Sequence, residues 1–183
     1  MRRRPTRLKK VDTSASSSWR PCSGFTDGGV AGDTVEEPAD HPKNVYWYQA
    51  QRANEVFNAL DGKQRDLALL KAAPRAEAQN KTIAIKPKPE RHGLPVADMT
   101  RDQRELVEKV MSDLLLPFRQ QDVAEARKLI RARGGVSSLQ MAFYKNLDIG
   151  NDGVWDVWQL EGDNMVWYFR GHPHVHTWVN IIA

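Results

Sequence analysis

Three histidines alternate near the end of the chain, in the stretch "HPHVH" formed by residues 172–176. Imidazole nitrogens are common ligands of zinc, copper and iron, and two histidines at positions i and i+2 of a strand can reach one ion. Positions i and i+4 of a strand lie about 13 Å apart, so His172 and His176 cannot easily share an ion. The spacing therefore favours His174 and His176 as the pair of ligands.

A third metal ligand would have to come from another part of the fold. Asp156, on the same proposed strand face, is the first candidate and Glu161, by the turn, the second; His92, from the connector before the strands, is a further alternative. Such a site would hold a divalent metal ion (zinc, copper or iron), and an open coordination position would let the ion polarise a bound water molecule. The alternative is a stripe of histidines that form hydrogen bonds in a sheet, or that contact a ligand or transfer protons. The pattern leaves these interpretations open.

A second kind of chemistry in this region is the binding of a planar or anionic ligand. Trp158, Trp167 and Trp178 could form a flat aromatic platform, and Arg170 and His172 could contact an anionic group. The alternative for the tryptophans is packing in the core, where aromatic side chains contribute strongly to stability. The alternative for Arg170 is a cation–π contact with an aromatic ring. The packing roles are favoured, because the helices need an apolar sheet face to rest on.

Four segments that are rich in aromatic and β-branched residues would position these side chains. They are "SLQMAFYKN", "GVWDVWQLEG", "NMVWYFRG" and "HVHTWVNII", and the pattern predicts antiparallel strands. Two-residue loops at Gly162-Asp163 and Gly171-His172 would join the last three, since each has glycine first, as a type II′ turn requires. This register pairs Leu160 with Met165 and Trp167 with His176. One face would then carry Asp156, Trp158, Leu160, Met165, Trp167, Phe169, His174, His176 and Trp178.

Helical patterns precede the strands. Thr100 followed by Gln103 predicts a capping box at the start of one helix, and another helix is predicted over about residues 63–73. The fold class is therefore α+β, with about four helices followed by an antiparallel C-terminal β-meander of three to four strands. Residues 1–40 predict a disordered basic and polar arm. Residues 41–183 predict a single α+β domain, helical over 44–134 and mainly β over 136–182.

Composition excludes several classes of partner. The chain of 183 residues has a net charge of +4, but much of the surplus lies in "MRRRPTRLKK", which contains no acidic residue. The remainder is close to neutral, so no nucleic-acid partner is expected for the folded part. One cysteine excludes an internal disulfide framework, and no apolar run is long enough for a membrane span. No apolar segment of an export signal follows the basic start, so the cytoplasm is the default expectation. The oligomeric state is not indicated.

The stretch "DIGNDGVWDVWQLEGDNMVWYFRGHPHVHTWVNI", with "YWYQAQRANEVFNALDGKQRDLALL" and "TRDQRELVEKVMSDLLLPFR", resembles the family known as domain of unknown function 3500. The resemblance covers about residues 44–182 and is most specific in W-x-x-W-x-L-E-G and in the segment from Phe169 to His176. Members of that family are generally longer, which implies that this chain is similar to a C-terminal portion, and some members look exported. The resemblance implies no particular activity.

These residues predict a domain that binds a metal ion or a small ligand through a histidine- and tryptophan-rich strand face. Two alternatives stay open. One is a non-enzymatic binding or interaction module, in which the tryptophans contact a ligand and the histidines only form hydrogen bonds. The other is a truncated fragment without independent activity. Whether the chain is an enzyme is also open, since it carries no P-loop, dinucleotide motif or activated nucleophile.

Overall fold

The computed structural model describes residues 47–73, 91–148, 151–171 and 176–181. These residues form four α-helices and one mixed, mostly antiparallel sheet, so the predicted α+β class is confirmed. The predicted arm, residues 1–40, lies outside the described residues. Within the described ranges, no helix has the length and apolar character needed to cross a lipid bilayer.

The elements follow one another in a simple order along the chain. The helices are α1 (Trp47–Ala59), α2 (Gly62–Ala68), α3 (Arg101–Leu115) and α4 (Gln120–Ala132). The strands are β1 (Leu69–Leu70), β2 (Leu94–Pro95), β3 (Gln140–Tyr144), β4 (Val157–Glu161), β5 (Met165–Arg170) and β6 (His176–Ile181). In the sheet the order is β1-β3-β4-β5-β6, and β2 also pairs with β3. Strand β1 pairs with β3 in parallel, whereas the pairs β2–β3, β3–β4, β4–β5 and β5–β6 are antiparallel.

Two capping boxes begin α2 and α3, and they are joined to each other. Asp61 caps α2 through the backbone N–H of Gln64, and Thr100 caps α3 as predicted. In each box the glutamine accepts a hydrogen bond in return from the backbone N–H of the capping residue. The side chains of Gln64 and Gln103 also exchange hydrogen bonds of 2.9 and 3.2 Å. This amide pair therefore holds the two helix starts side by side.

The helix predicted over residues 63–73 is wrong in its second half. Helix α2 ends at Ala68, and Leu69 and Leu70 form β1 beside β3. Leu67, an apolar residue of that helix, is 55% exposed. Leucine is a good helix former, but pairing with an available strand edge outweighs so small a local preference.

The turn between β4 and β5 differs from the predicted one. The predicted loop would pair Leu160 with Met165, whereas the ladder pairs Leu160 with Trp167. The backbone N–H of Gly162 donates to the carbonyl of Met165 at 2.8 Å, which closes the loop around residues 163 and 164. The pairing moves by two residues, an even number, so the faces assigned to β4 and β5 are unchanged.

The register predicted between β5 and β6 is wrong by an odd number of residues. The prediction paired His176 with Trp167, whereas the ladder pairs it with Arg170. The connection from β5 to β6 comprises residues 171–175 rather than a two-residue loop. An odd displacement exchanges the two faces of a strand. Trp178 therefore pairs with Tyr168 and lies on the face opposite to Trp167.

The helices cover one face of the sheet, called here the core face. Phe57 of α1 meets Phe143 edge-on, with ring centroids 5.1 Å apart, and Trp158 stacks on Phe169 at 5.8 Å. Each large apolar side chain buried here contributes about 1.5–3 kcal/mol relative to an exposed one. The sheet residues of the core face are Met141, Phe143, Trp158, Leu160, Met165, Trp167, Phe169 and Ile181.

Asn54 of α1 fixes the segment that leads into β4. Its Oδ1 accepts a hydrogen bond from the backbone N–H of Trp155 at 2.9 Å. Its Nδ2 donates to the carbonyl of Trp155 at 3.2 Å and to that of Ala50 at 2.8 Å. The Asn54 side chain thus supplies both hydrogen bonds that a neighbouring strand would otherwise give to the backbone of Trp155. Because Asn54 is 4% exposed, removing the amide would leave buried peptide groups unsatisfied, at a cost of about 1–3 kcal/mol.

The chain at Gly93, just before β2, packs closely against β3. Its φ is +114°, and an added Cβ would lie 2.4 Å from the carbonyl oxygen of Met141. We therefore expect Gly93→Ala to lower the free energy of unfolding by about 2–3 kcal/mol, from backbone strain and steric conflict. Urea denaturation followed by circular dichroism measures the change.

Gly62 provides the matched control, because an added Cβ there would meet nothing within 4 Å. Gly62→Ala should be neutral or stabilising by up to about 1 kcal/mol, since alanine restricts the unfolded chain. Equal effects of the two substitutions would contradict the packing of Gly93 against β3.

Candidate functional site

The second face of the sheet carries polar groups and yet is buried. It is called here the polar face, and no described helix contributes to its apolar cluster. Cross-strand pairing arranges it in rows: Gln159 of β4 lies beside Tyr168 of β5, and Tyr168 lies beside Trp178 of β6. The residues that define the polar face are Tyr144, Gln159, Glu161, Tyr168, Arg170 and Trp178.

A chain of hydrogen bonds crosses the polar face from β3 to β4. The hydroxyl of Tyr144 donates to Oε1 of Gln159 at 3.4 Å. Nε2 of Gln159 donates to Oε2 of Glu161 at 2.7 Å. All three side chains are buried, and Glu161 is only 3% exposed. The Gln159 amide orients the carboxylate. Its own orientation is fixed, because the amide oxygen accepts from the tyrosine and the amide nitrogen donates to the glutamate.

The environment keeps the hydroxyl of Tyr144 in its protonated form. Burial raises the pKa of this hydroxyl above its ordinary value of about 10, and the nearby Glu161 carboxylate raises it further. Both causes disfavour a phenolate, the first by removing water and the second by like charge. Tyr144 therefore remains a hydrogen-bond donor over the whole physiological range.

Aromatic and cationic groups occupy the β5 and β6 part of the polar face. The rings of Tyr168 and Trp178 meet edge-on, with centroids 5.3 Å apart and an interplanar angle of 65°. Tyr168 is fully buried, whereas Trp178 and Arg170 are partly exposed. Arg170 is opposite Val157 on one side and His176 on the other. The aromatic pair thus lies beside Gln159, and the cation lies at the Val157 end of β4, four residues from Glu161.

Two of the tryptophans proposed as a ligand platform belong to the core face. Trp158 and Trp167 have no exposed surface, and helix residues pack over them. These two side chains therefore pack in the core of the described residues. Trp178 lies apart from them on the polar face.

The two carboxylates proposed as metal ligands lie far from each other. Asp156 immediately precedes β4, is 1% exposed and pairs through its carbonyl with the N–H of Gly171 at 2.8 Å. Glu161 ends the same strand, five residues later. An odd separation places the two on opposite faces, and five residues span about 16 Å. They cannot bind one ion together.

The histidines can be placed only in part. His172 and His174 lie outside the described residues, and His176 is described as the first residue of β6, opposite Arg170. Among the described residues, no three His, Cys, Asp or Glu side chains form a group that could hold a metal ion. The metal site predicted from the sequence thus stays a prediction.

Sequence reasoning missed Tyr144 and Gln159, the two residues that hold Glu161. The sequence signal for Gln159 is the alternation of β4, which places Gln159 and Glu161 on one face. Polar residues at alternate positions usually indicate a solvent-facing side, and nothing local distinguishes that case from a buried polar face.

Comparisons of this chain with protein-family models, with curated proteins and with solved structures find no match. The resemblance to domain of unknown function 3500 therefore stays a prediction.

The raised pKa of Tyr144 predicts a dependence of stability on alkaline pH. The folded state keeps a proton that the unfolded state releases above about pH 10. The stabilisation from this proton is therefore complete below about pH 10 and is lost as the pH rises further, by about 1.4 kcal/mol per pH unit. Tyr144→Phe cannot titrate, so its stability should fall less steeply than that of the parent in urea denaturation at increasing pH.

Tyr48 is the matched control, because its side chain is exposed on α1. Tyr48→Phe should follow the alkaline decline of the parent. If Tyr144→Phe also declined in parallel with the parent, the burial of the Tyr144 hydroxyl beside Glu161 would be contradicted.

Proposed function

We propose that this domain binds a small polar ligand on the polar face of its C-terminal antiparallel meander. The Glu161 carboxylate accepts hydrogen bonds from the ligand. Trp178, which is partly exposed, supplies an aromatic contact. Arg170 lies four residues along the strands from Glu161, so it supplies a donor only to a ligand that extends about 13 Å along the face. This proposal corresponds to the binding-module alternative from the sequence. It differs in one respect: Trp178, on the polar face, is the tryptophan that contacts the ligand.

The burial and orientation of Glu161 carry this proposal. A carboxylate that is 3% exposed costs several kcal/mol to bury unless its partners compensate. The core face of the same strand shows that apolar residues suffice to pack this sheet. A carboxylate held at 2.7 Å by an amide, which is itself held by a tyrosine, is instead typical of a preorganised binding group.

The arrangement supports binding better than covalent catalysis. The hydrogen-bonded chain consists of a phenol, an amide and a carboxylate, and it contains no serine, cysteine or histidine. Such a chain can orient a ligand donor, because its only strong acceptor is the carboxylate at its end. Nothing in it activates a nucleophile.

A screen of small polar compounds by thermal shift tests the proposal. A ligand that binds the folded state should raise the melting temperature of the parent. Glu161→Gln should weaken that ligand by about tenfold or more, because a charge-assisted hydrogen bond contributes about 1.5–3 kcal/mol. Circular dichroism confirms that the variant is folded.

Glu105→Gln is the matched control, since Glu105 lies on α3 and pairs with the exposed Arg101. It should bind the ligand as the parent does. The proposal fails if Glu161→Gln and Trp178→Phe, both folded, bind every ligand found with unchanged affinity.

A divalent metal ion is the second candidate, and the position of Asp156 favours it. This buried carboxylate stands beside Gly171, the residue directly before the histidine stretch. Glu161 is two strands and four residues from His176, about 13 Å along the strands, and is the weaker choice. The ion, zinc, copper or iron, would then be held by Asp156 with His174, whereas position 176 pairs with Arg170 and so lies on the other face of the sheet from Asp156.

Metal content tests this candidate. Mass spectrometry of the purified parent should find near-stoichiometric zinc, copper or iron, and the metal should be absent from Asp156→Asn and from His174→Ala. A parent that stays metal-free after incubation with all three ions would exclude the metal site and leave the small polar ligand as the proposed function.

A further inference from the structure

The segment directly before β2 crosses the end of the polar face where Glu161 lies. A Cβ added to Gly93 would lie 3.0 Å from that of Ala142, which belongs to the apolar cluster of this face. Two residues earlier, the side chain of Arg91 pairs with the carboxylate of Asp163, in the loop that joins β4 to β5. Residues 91–93, called here the strap, therefore reach from β3 to this loop, past the strand end that carries Glu161.

A ligand in solvent cannot reach this end of the polar face while the strap is in place. Glu161 is only 3% exposed, and every other residue of β4 is buried as well. Strand β4 is paired on both sides, so the sheet itself offers no opening. The strap is instead joined to the loop by a side-chain ion pair between Arg91 and Asp163. It is therefore the cover that can move without breaking the sheet.

The ion pair that holds the strap has one buried end and one exposed end. The side chain of Arg91 is 4% exposed, whereas that of Asp163 is 73% exposed. A guanidinium keeps its charge, and a buried charge needs a counter-charge, which Asp163 supplies when the strap is closed. Because Asp163 stands in solvent, salt screens it, and ion pairs of this kind contribute little stability. The pair is therefore a latch that holds the strap and opens easily.

The closed strap also leaves one donor of Arg91 unsatisfied. The Nε–H of Arg91 is buried and has no acceptor in the part of the chain that the structure describes. A buried donor without an acceptor destabilises the state that contains it, whereas water satisfies the same donor once it is exposed. The weak latch and the unsatisfied donor both reduce the preference for the closed state.

Gly93 is placed to act as the hinge of the strap. The chain that follows it is fixed, since β2 pairs with β3 and the N–H of Val96 donates to the carbonyl of Leu139 at 2.9 Å. Gly93 has a φ of +114°, a conformation that glycine adopts and leaves without a side-chain obstacle. Hinges of moving segments are a few residues at the ends of elements, and small residues are common among them.

We propose that the strap opens and closes over this end of the polar face, with Gly93 as its hinge and the Arg91–Asp163 ion pair as its latch. The structure shows the closed form. The open form hydrates Arg91 and lets a ligand from solvent reach Glu161. The inference rests on the proposed function for the purpose of the movement, and its test needs no ligand.

Trypsin cleavage of the Arg91–His92 bond reports the opening of the strap, because the protease must take the Arg91 side chain into its own pocket. Asp163→Asn removes the charge of the latch. It should raise the rate at which the fragment beginning at His92 appears in mass spectra by about two- to fivefold, as expected for loss of an exposed ion pair. Asp163→Glu keeps the charge and should be cleaved nearly as slowly as the parent. Cleavage within α3 reports global unfolding and should stay unchanged.

Glu105→Gln is the matched control, since it breaks an exposed ion pair with Arg101 on α3. It should leave cleavage of the Arg91–His92 bond unchanged. Salt gives an independent readout. Added sodium chloride should speed this cleavage in the parent, relative to a short peptide with the same Arg–His bond. It should not do so in Asp163→Asn, where no charge remains to be screened.

Labelling of carboxylates tests whether the strap covers Glu161. Carbodiimide couples glycine ethyl ester to accessible carboxylates, and mass spectrometry locates the label. Labelling of Glu161 should be slow in the parent and should rise in Asp163→Asn by the same factor as the cleavage. Initial rates are compared, because labelling of Asp163 in the parent would itself release the latch.

The outcomes separate the strap from the proposed function. The latch is refuted if Asp163→Asn changes neither readout, or if α3 is cleaved faster in step with the Arg91–His92 bond. Faster cleavage with unchanged labelling of Glu161 would show that the strap moves without covering the polar face, which overturns its role in access. If both readouts rise and the screen of polar compounds finds no ligand, the strap stands and the proposed function fails.

Discussion

The alternation of side chains in β4 and β5 is the constraint on which the rest of the structure depends. Every residue of β4 is buried, and only the last residue of β5 is partly exposed. Both faces of these strands therefore have fixed neighbours. A slip of one residue would carry Trp158 and Trp167 onto the polar face and would push Gln159 and Glu161 under the helices. Such a slip would bury unpaired polar groups in an apolar core, so the native register is strongly preferred.

Contacts from the helices help to fix this register, and they do so without any ligand. Asn54 holds the backbone of Trp155 and so determines where β4 begins. The amide pair of Gln64 and Gln103 fixes the starts of the helices that flank this region. The polar face is tolerated because its groups form a hydrogen-bonded chain. The hydroxyl of Tyr144 donates to Gln159, and the amide of Gln159 donates to the carboxylate of Glu161. Connected polar groups orient one another, and isolated ones would destabilise the fold.

Local signals were predictable from the sequence, and pairings between distant residues were not. The α+β class and the cap at Thr100 follow from residue patterns over a few positions, so the sequence is sufficient for them. Leu69 and Leu70 leave the helical pattern only because β3 offers them an edge. The β5–β6 register depends on the length of the connection between the strands, which no turn motif encodes reliably. Tyr144 joins Gln159 from another strand, so this half of the candidate site was invisible without the fold.

The most direct test of the two-faced sheet is the register between β5 and β6 in solution. Nuclear Overhauser contacts across the strands report it without any ligand or substitution. The structure predicts contacts that link Arg170 with His176 and Tyr168 with Trp178. Contacts that link Trp167 with His176 instead would place position 176 on the core face. That result would contradict the separation of the polar face from the tryptophan core.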